Sequence, residues 1–387
     1  PMQRPSISPS LARLRSSLWL ALGLATLLAA ALPSACSSDA DPRPEPEPPV
    51  VVVTPPEPGA PWESLSEWNL YADLRAQEPA ERVLPFEVIA PLFSDYTKKR
   101  RFVHLPEGAT IAYASEGPLG FPVGTILVKT FSYPADLREP EGEERILETR
   151  ILHLEPNGWA AHTYVWNDEQ TEAVRLVAGK FIDASFVDAS GATVQNLYRV
   201  PNTNECKDCH QNHDSFVSLG GRSRQLDRAY DYGEGPVNQL EHLAALGWLE
   251  GLPPASERTK LVDPFGSDEL SLRVRSYFDA NCSACHTTGG NASQSSLLLD
   301  FAATDPESQP SSNWGVCKIP TSAGGATCGH TYDVVPGDPD RSIMICRMAS
   351  TDLEVRMPPL GIRLVHAEGL ALVRQWIASM PPEGSCQ

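Results

Sequence analysis

Apolar and polar residues follow distinct patterns along the chain, and the first pattern predicts an export signal. An unbroken apolar run covers residues 18–32 behind Arg13 and Arg15, and small residues follow it. A basic start, a short apolar segment and small residues before a break are typical of a secretory signal peptide. The run is too short to span a bilayer comfortably. Residues 1–35 are therefore predicted to direct export.

The next residues predict how the exported chain begins. Residues 32–36, with the sequence LPSAC, resemble the lipobox of bacterial lipoproteins, whose cysteine becomes lipidated; cleavage nearby with an unmodified Cys36 is the alternative. Residues 36–61 are rich in proline and acids, which gives a stiff, solvated spacer. We expect this tether to hold a periplasmic or outer-membrane-anchored protein off the membrane, with the lipid as its only anchor.

A second pattern, β-branched and aromatic runs separated by turn residues, predicts a β-rich, sandwich-like domain over residues 62–200. The strand-like runs are residues 121–133, 146–155, 159–166 and 197–200. Asn157-Gly158 is a strong two-residue hairpin signal, and a loop there pairs His162 with His153. The alternation on these strands favours a sheet with one buried side.

The predicted pair of histidines has two interpretations. Two imidazoles across a ladder could bind copper or zinc, with His104 as a third ligand. Alternatively, His153 and His162 form a packed pair beside Tyr164 and Trp166. Because the sequence fixes no third ligand, we favour packing.

The strongest chemical signal is a motif that occurs twice, as Cys206-Lys207-Asp208-Cys209-His210 and again at residues 282–286. By chance such a motif is expected about 0.005 times in a chain of this composition. Its two thiols can attach to the vinyl groups of haem, and the histidine that follows can ligate the iron. A four-thiolate zinc site, a redox-active disulfide and structural disulfides are alternatives, but none explains a histidine after each pair.

The two motifs together predict two covalently bound haem c groups. Cys282, Cys285 and His286 of the second motif would hold the second haem. Residues 267–269 begin a predicted helix that leads into Cys282, and apolar positions at 370, 373, 376 and 377 predict a C-terminal helix. Between them Met357 lies in a proline-rich loop. A thioether there is suited to be the second axial ligand of the iron, with Met344 and Met348 as substitutes and a core methionine as the alternative.

The first haem segment, residues 201–262, has no methionine after its motif. His242, on a predicted helix over residues 237–248, is the candidate distal ligand, and a surface histidine is an equal alternative. A third possibility is an open sixth position, which could bind peroxide or another small ligand.

Four further cysteines, at 317, 328, 346 and 386, can pair in three ways in an oxidising compartment. Cys317 and Cys328 flank a glycine-rich loop, so we expect these two to pair and Cys346 to pair with Cys386.

The order of these features over residues 62–381 resembles an uncharacterised family of exported bacterial di-haem c-type cytochromes, with residues 263–382 similar to a class I cytochrome c domain. The stretches that carry the resemblance are residues 91–96, 121–125, 164–171, 200–204, 335–340 and the Met357 loop. The resemblance implies an α+β multidomain chain, in which the β-rich domain is followed by a mainly α-helical cytochrome c region. It implies the haem cysteines and proximal histidines but no reaction.

The net negative charge limits the classes of partner that the chain can bind. The formal charge is −18, and it becomes −21 without residues 1–35, which hold three arginines and no acid. Such a surface repels nucleic acid and favours a redox protein with a cationic docking patch. We therefore expect an electron carrier. One alternative is a di-haem peroxidase-like enzyme with an open first haem. The other is a binding module, in which the β-rich domain recognises a ligand or a subunit and the haems only report binding or conduct electrons to it.

Overall fold

A computed structural model describes residues 50–321, 327–382 and 386, and these residues belong to one compact unit of mixed helix and strand. The predicted signal peptide, Cys36 and the first part of the tether lie outside the described residues. The strands are β1 (Tyr71–Asp73), β2 (Glu78–Pro79), β3 (Val83–Pro85), β4 (Lys98–His104), β5 (Ile111–Ala112), β6 (Ile126–Pro134), β7 (Glu144–Glu155), β8 (Gly158–Trp166), β9 (Ala173–Arg175), β10 (Lys180–Val187), β11 (Thr193–Val200), β12 (Gln211–Asn212), β13 (Ser215–Phe216), β14 (Ala229–Asp231), β15 (Pro236–Asn238) and β16 (Leu249–Glu250). The α-helices are α1 (Thr203–His210), α2 (Ser223–Leu226), α3 (Gln239–Ala245), α4 (Leu270–Asn281), α5 (Ile343–Ala349) and α6 (Ala367–Ser379).

The predicted β-rich N-terminal region is confirmed, and an antiparallel sheet of six strands in the order β3-β4-β6-β7-β8-β9 organises it. One face of this sheet packs on a 3₁₀ turn, Leu65–Trp68, whose Leu65 and Trp68 side chains are fully buried. The Trp68 indole N–H donates to the Tyr164 hydroxyl at 2.7 Å, so the indole is oriented as well as buried.

The opposite face of the sheet is covered at its two ends. At one end the hairpin β10–β11 packs through Phe186 and Tyr198 against Tyr133 of β6. At the other end Leu127 packs with α3 and with the parallel pair β5–β16. The sheet therefore buries apolar side chains on both faces, not on one side alone as the alternation predicted.

The predicted register of the β7–β8 hairpin was wrong by two residues. Glu155 pairs with Gly158, and His162 lies opposite Ile151 instead of His153. Pro156 has no N–H for the ladder, so it enters the turn together with Asn157, and Gly158 begins β8 at a φ of +120°. A shift of two keeps each side chain on its predicted face because side chains alternate with a period of two.

The predicted helices beside the second motif are confirmed. The Glu269 carboxylate caps α4 by accepting the Leu272 N–H at 3.1 Å, and α4 ends at Asn281 immediately before the motif. Helix α6 packs on it, with the Phe278 and Trp376 ring centroids 5.6 Å apart. However, irregular segments join α4, α5 and α6, and a mainly α-helical region over residues 263–382 is not confirmed.

The predicted disulfide pairing was wrong. Cys317 is bonded to Cys386 and Cys328 to Cys346, with Cα–Cα distances of 5.0 and 6.6 Å. The tertiary fold decides the pairing: the Tyr332 hydroxyl binds the carbonyl of Cys386 and returns the C-terminal end of the chain to this region. Closeness in sequence to Cys328 therefore did not select the partner of Cys317.

The end of the predicted tether packs on the hydrophobic core around Leu65 and Trp68. Val53 is buried in the cluster around Trp68, and the Gly59 N–H donates to the Glu155 carboxylate at 3.1 Å. Throughout the part of the chain that the structure describes, no helix combines the length and apolarity needed to cross a membrane.

Candidate haem-binding site

The first Cys-x-x-Cys-His motif forms most of helix α1, directly after strand β11. Asn202 caps the helix by accepting the Glu205 N–H at 3.0 Å, and the Glu205 carboxylate accepts the Asn202 N–H at 2.9 Å. This reciprocal capping box explains why a helix begins immediately after the Val200-Pro201 strand end. It sets Cys206 and Cys209 one helical turn apart.

The two ring nitrogens of His210 differ, because Nδ1 is hydrogen-bonded and Nε2 keeps a lone pair that can ligate a metal. Its Nδ1 is 2.8 Å from the Val217 carbonyl, which can only accept, so Nδ1 carries the proton and Nε2 keeps its lone pair. The ring stacks on Phe216 with centroids 5.0 Å apart. Burial lowers the pKa of His210 to about 4, so the imidazole is neutral and suited to ligate a metal.

His286 repeats this arrangement in the second motif. Its Nδ1 donates to the Leu297 carbonyl at 3.2 Å, and the Ser295 hydroxyl lies 3.4 Å from the same nitrogen. Burial again lowers the histidine pKa. Both motif histidines therefore have a tautomer fixed by a backbone carbonyl that follows the motif by several residues.

The four motif thiols are not disulfide-bonded, and two of them meet across the motifs. A hydrogen bond between the Cys209 and Cys285 thiols lowers the pKa of Cys209 to about 7 and raises that of Cys285. The positive charges of Arg150 and Lys129 add to the lowering at Cys209. Burial raises the pKa of the other thiols, Cys206 and Cys282, and that of Cys282 reaches about 12.

Backbone contacts fix the two motifs against each other. The Asp208 carbonyl accepts from the Asn291 amide at 2.8 Å and lies 3.5 Å from the Cys285 sulfur. The His213 N–H donates to the Gly289 carbonyl at 2.9 Å. Gly289 has a φ of +81°, and a Cβ there would lie 2.5 Å from His213 Nε2. This junction joins segments about 80 residues apart and was not predictable, because each motif has the spacing of an independent site.

The candidate distal ligands are located differently. Met357 is half-buried, and its N–H donates at 2.9 Å to the carbonyl of Arg347, whose side-chain charge acts on His286. This places the Met357 backbone next to α5, which carries the substitutes Met344 and Met348. His242 lies on α3 as predicted, but its ring stacks on Tyr232 with centroids 3.9 Å apart. It therefore already has an aromatic partner outside the first motif.

The histidine pair of the sheet packs around tryptophan. The rings of His153 and His162 have centroids 5.8 and 6.0 Å from that of Trp68. His104 lies two strands from His153, separated by Ile126, and its Nδ1 is bonded to the Arg82 carbonyl. Among the described residues no three histidine, cysteine or acidic side chains converge as metal ligands. The packing interpretation is the one this arrangement favours.

Comparison of the chain with protein-family models, with curated proteins and with solved structures finds no match in any of the three.

Proposed function

We propose that this chain is an exported di-haem c-type cytochrome that passes electrons between periplasmic or cell-surface redox partners. The observation that carries the proposal is the shared bonding of His210 and His286. Each histidine holds Nδ1 on a backbone carbonyl and leaves Nε2 to ligate iron, next to two thiols that form no disulfide. Thiol pairs followed by such a histidine are the donor set that haem c requires.

Each residue of the motifs has a role in the proposal. Cys206 and Cys209 hold the first haem, and Cys282 and Cys285 hold the second. His210 and His286 are the proximal ligands, Met357 is the distal ligand at the second site, and His242 is the candidate at the first. Haem c supplies reversible one-electron transfer when it is bound.

The junction between the motifs supports electron carriage over isolated cofactor storage. The contacts of Asp208 with Asn291 and of His213 with Gly289 hold the two attachment segments side by side. Groups attached to adjacent segments are themselves close, which favours exchange of electrons between them. Helix α4 packed on α6 is the part of residues 263–382 that supports the similarity to a class I cytochrome c domain.

The proposal extends to place and partner. The apolar run, the LPSAC sequence and the acidic, proline-rich stretch support export and lipid anchoring at Cys36. The formal charge of −18 supports docking to a redox protein through a cationic patch, and it argues against nucleic acid. Electron exchange should therefore slow as salt increases.

The decisive experiment counts covalent haem per chain and records oxidised, reduced and reduced-plus-CO spectra of protein matured in an exporting host. We expect two haems in the natural chain and one when Cys282 and Cys285 are both changed to alanine. No CO shift supports two six-coordinate irons and an electron carrier. CO binding at one haem would favour the peroxidase-like alternative, and a folded protein without covalent haem would refute the proposal.

Met357 is tested in the same preparation. Met357→Ala should remove the low-spin signature of the second haem and lower its reduction potential, because a thioether favours ferrous iron. Met380→Ala is the control, since Met380 is also a partly buried methionine but packs on the core between α4 and α6, immediately after α6 ends. An unchanged low-spin spectrum in Met357→Ala would remove Met357 from the ligand set.

A further inference from the structure

Three basic side chains stand in a row across the middle of the six-stranded sheet. Arg101 of β4 lies directly opposite Lys129 of β6, and Lys129 lies directly opposite Arg150 of β7. Residues paired in this way share one face, with Cβ atoms about 5 Å apart, and like charges at that spacing destabilise a sheet. We call Arg101, Lys129 and Arg150 the cation row.

Among the described residues, Arg150 is the one member of the cation row that has a carboxylate partner. Arg150 donates to both oxygens of Glu148, at 2.9 and 2.5 Å. Within the described ranges, neither Lys129 nor Arg101 has an acid within ion-pair distance; Glu87, which acts on Arg101, is paired with Arg228 at 3.2 Å. The Lys129 ammonium lies over the Phe131 ring, 4.8 Å from its centroid.

The positive charges of Lys129 and Arg101 are energetically unfavourable at these positions. Burial lowers the pKa of Arg101 to about 10 and that of Lys129 well below its usual range, and the neighbouring cations add to both effects. Both side chains are half-buried, and the chain has 49 acidic against 31 basic residues, so acids were available to pair with them. The row has the character of a site completed by an anion from outside the polypeptide.

The cation row faces the first motif. Arg150 is paired with Thr163 of β8, and α1 packs on that same strand. The charges of Lys129 and Arg150 act on His210 and on the Cys209 thiol. An anion held by the row is therefore next to whatever Cys206 and Cys209 hold.

We propose that the cation row, through Lys129 and Arg101, binds the propionate carboxylates of the haem attached to Cys206 and Cys209. This inference rests on the proposed function. Haem c carries two carboxylates, and Lys129 and Arg101 are two cations without a carboxylate partner among the described residues. The thioether bonds to Cys206 and Cys209 would hold the haem carboxylates near this row. The oxidised haem carries one more positive charge than the reduced haem, so positive charge beside the propionates disfavours oxidation and the row also raises the potential of the first haem.

The test is the sign of one substitution in two backgrounds of the full-length chain. Lys129→Gln in the di-haem protein should lower the urea midpoint and lower one of the two reduction potentials. In a Cys206→Ala, Cys209→Ala background, which has no first haem, the same substitution should raise the urea midpoint, because it relieves repulsion in the row. Lys129→Arg keeps the charge and should preserve the natural potential.

The control removes an equal charge from the same sheet. Lys98 of β4 pairs with the exposed Glu141, and Lys98→Gln should shift the midpoint in the same direction in both backgrounds. If Lys129→Gln does not fold, Arg101→Gln completes the same comparison.

The outcomes separate the inference from the function beneath it. Equal signs in the two backgrounds, or an unchanged potential, would overturn propionate binding while two covalent haems left the proposed function standing. A midpoint that falls in both backgrounds, and only in phosphate buffer, would identify an inorganic anion instead. Absence of covalent haem would overturn the proposed function and this inference together.

Discussion

Replacing Glu148 with glutamine should expose how strongly a buried ion pair supports the sheet beneath the first motif. The Glu148 side chain is fully buried, and it accepts two bonds from Arg150 and one, at 2.6 Å, from the Tyr198 hydroxyl. Burial alone would lower the pKa of Arg150, but Glu148 raises it above its usual range. Glutamine keeps the shape and one acceptor oxygen but leaves the guanidinium without a counter-charge.

The expected loss follows from the exposure of the two partners. Removing one partner of a fully buried pair costs about 3–5 kcal/mol. Because 31% of the Arg150 side chain reaches solvent, water partly compensates the unpaired charge, and we expect Glu148→Gln to cost about 2–3 kcal/mol of unfolding free energy. Adding Arg150→Met removes the stranded charge and should recover at least half of that loss.

Urea unfolding followed by circular dichroism measures these differences. Glu141→Gln is the matched control: its partner is also a basic residue of the sheet, but the Glu141 side chain is 86% exposed, so we expect a much smaller loss. The reasoning fails if Glu148→Gln costs no more than Glu141→Gln, or if Arg150→Met makes the Glu148→Gln protein still less stable.

Three further predictions concern other parts of the molecule. Burial lowers the pKa of His162 to about 4, against 6.5 when unfolded, so only the unfolded chain is protonated in between and stability falls as pH drops through that range. His162→Phe should reduce the change in unfolding free energy over this pH range, measured by urea unfolding, by up to about 3 kcal/mol. An unchanged pH dependence would contradict the burial argument. Gly289→Ala should destabilise the motif junction by about 1–3 kcal/mol, whereas Gly220→Ala, with no atom within 4 Å of its Cβ, should change thermal stability little; equal effects would argue against the close approach. Changing Cys317 and Cys386 to serine opens a loop of 69 residues and should cost about 4 kcal/mol, against about 3 for the disulfide that spans 18, and calorimetry showing the reverse order would reject the loop-length account.

Local signals in the sequence were sufficient for the parts of the fold that depend on local interactions. The helix before Cys282 and the helix near the C-terminus were predictable because their apolar positions repeat at helical spacing and recognisable residues begin and end them. Strands β7, β8 and β11 were predictable from their β-branched and aromatic residues. The motif cysteines and histidines stand out because of their spacing alone.

Features that depend on the meeting of distant segments were not predictable. Strand β4 begins with four consecutive basic residues, which lack the composition on which strand prediction relies, so the cation row could not be anticipated. The contact of Cys209 with Cys285 and the pairing of Cys317 with Cys386 are set by tertiary packing. In the β7–β8 hairpin, the missing N–H of Pro156 outweighed the preference of Asn157-Gly158 for the loop.

The reach of a single buried carboxylate bears on the order in which this chain matures. Asp95, near the start of β4, accepts the N–H groups of Arg363 and Leu364 at 2.7 and 2.9 Å, across 268 and 269 residues. Contacts of such sequence separation form late, because a long loop must close before they contribute. The contacts of Asp95 with Arg363 and Leu364 therefore form only after nearly all of the chain has been synthesised. If the two Cys-x-x-Cys-His segments carry haem as proposed, they would be accessible to the attaching enzyme during that interval, and closure afterwards would enclose the modified segments.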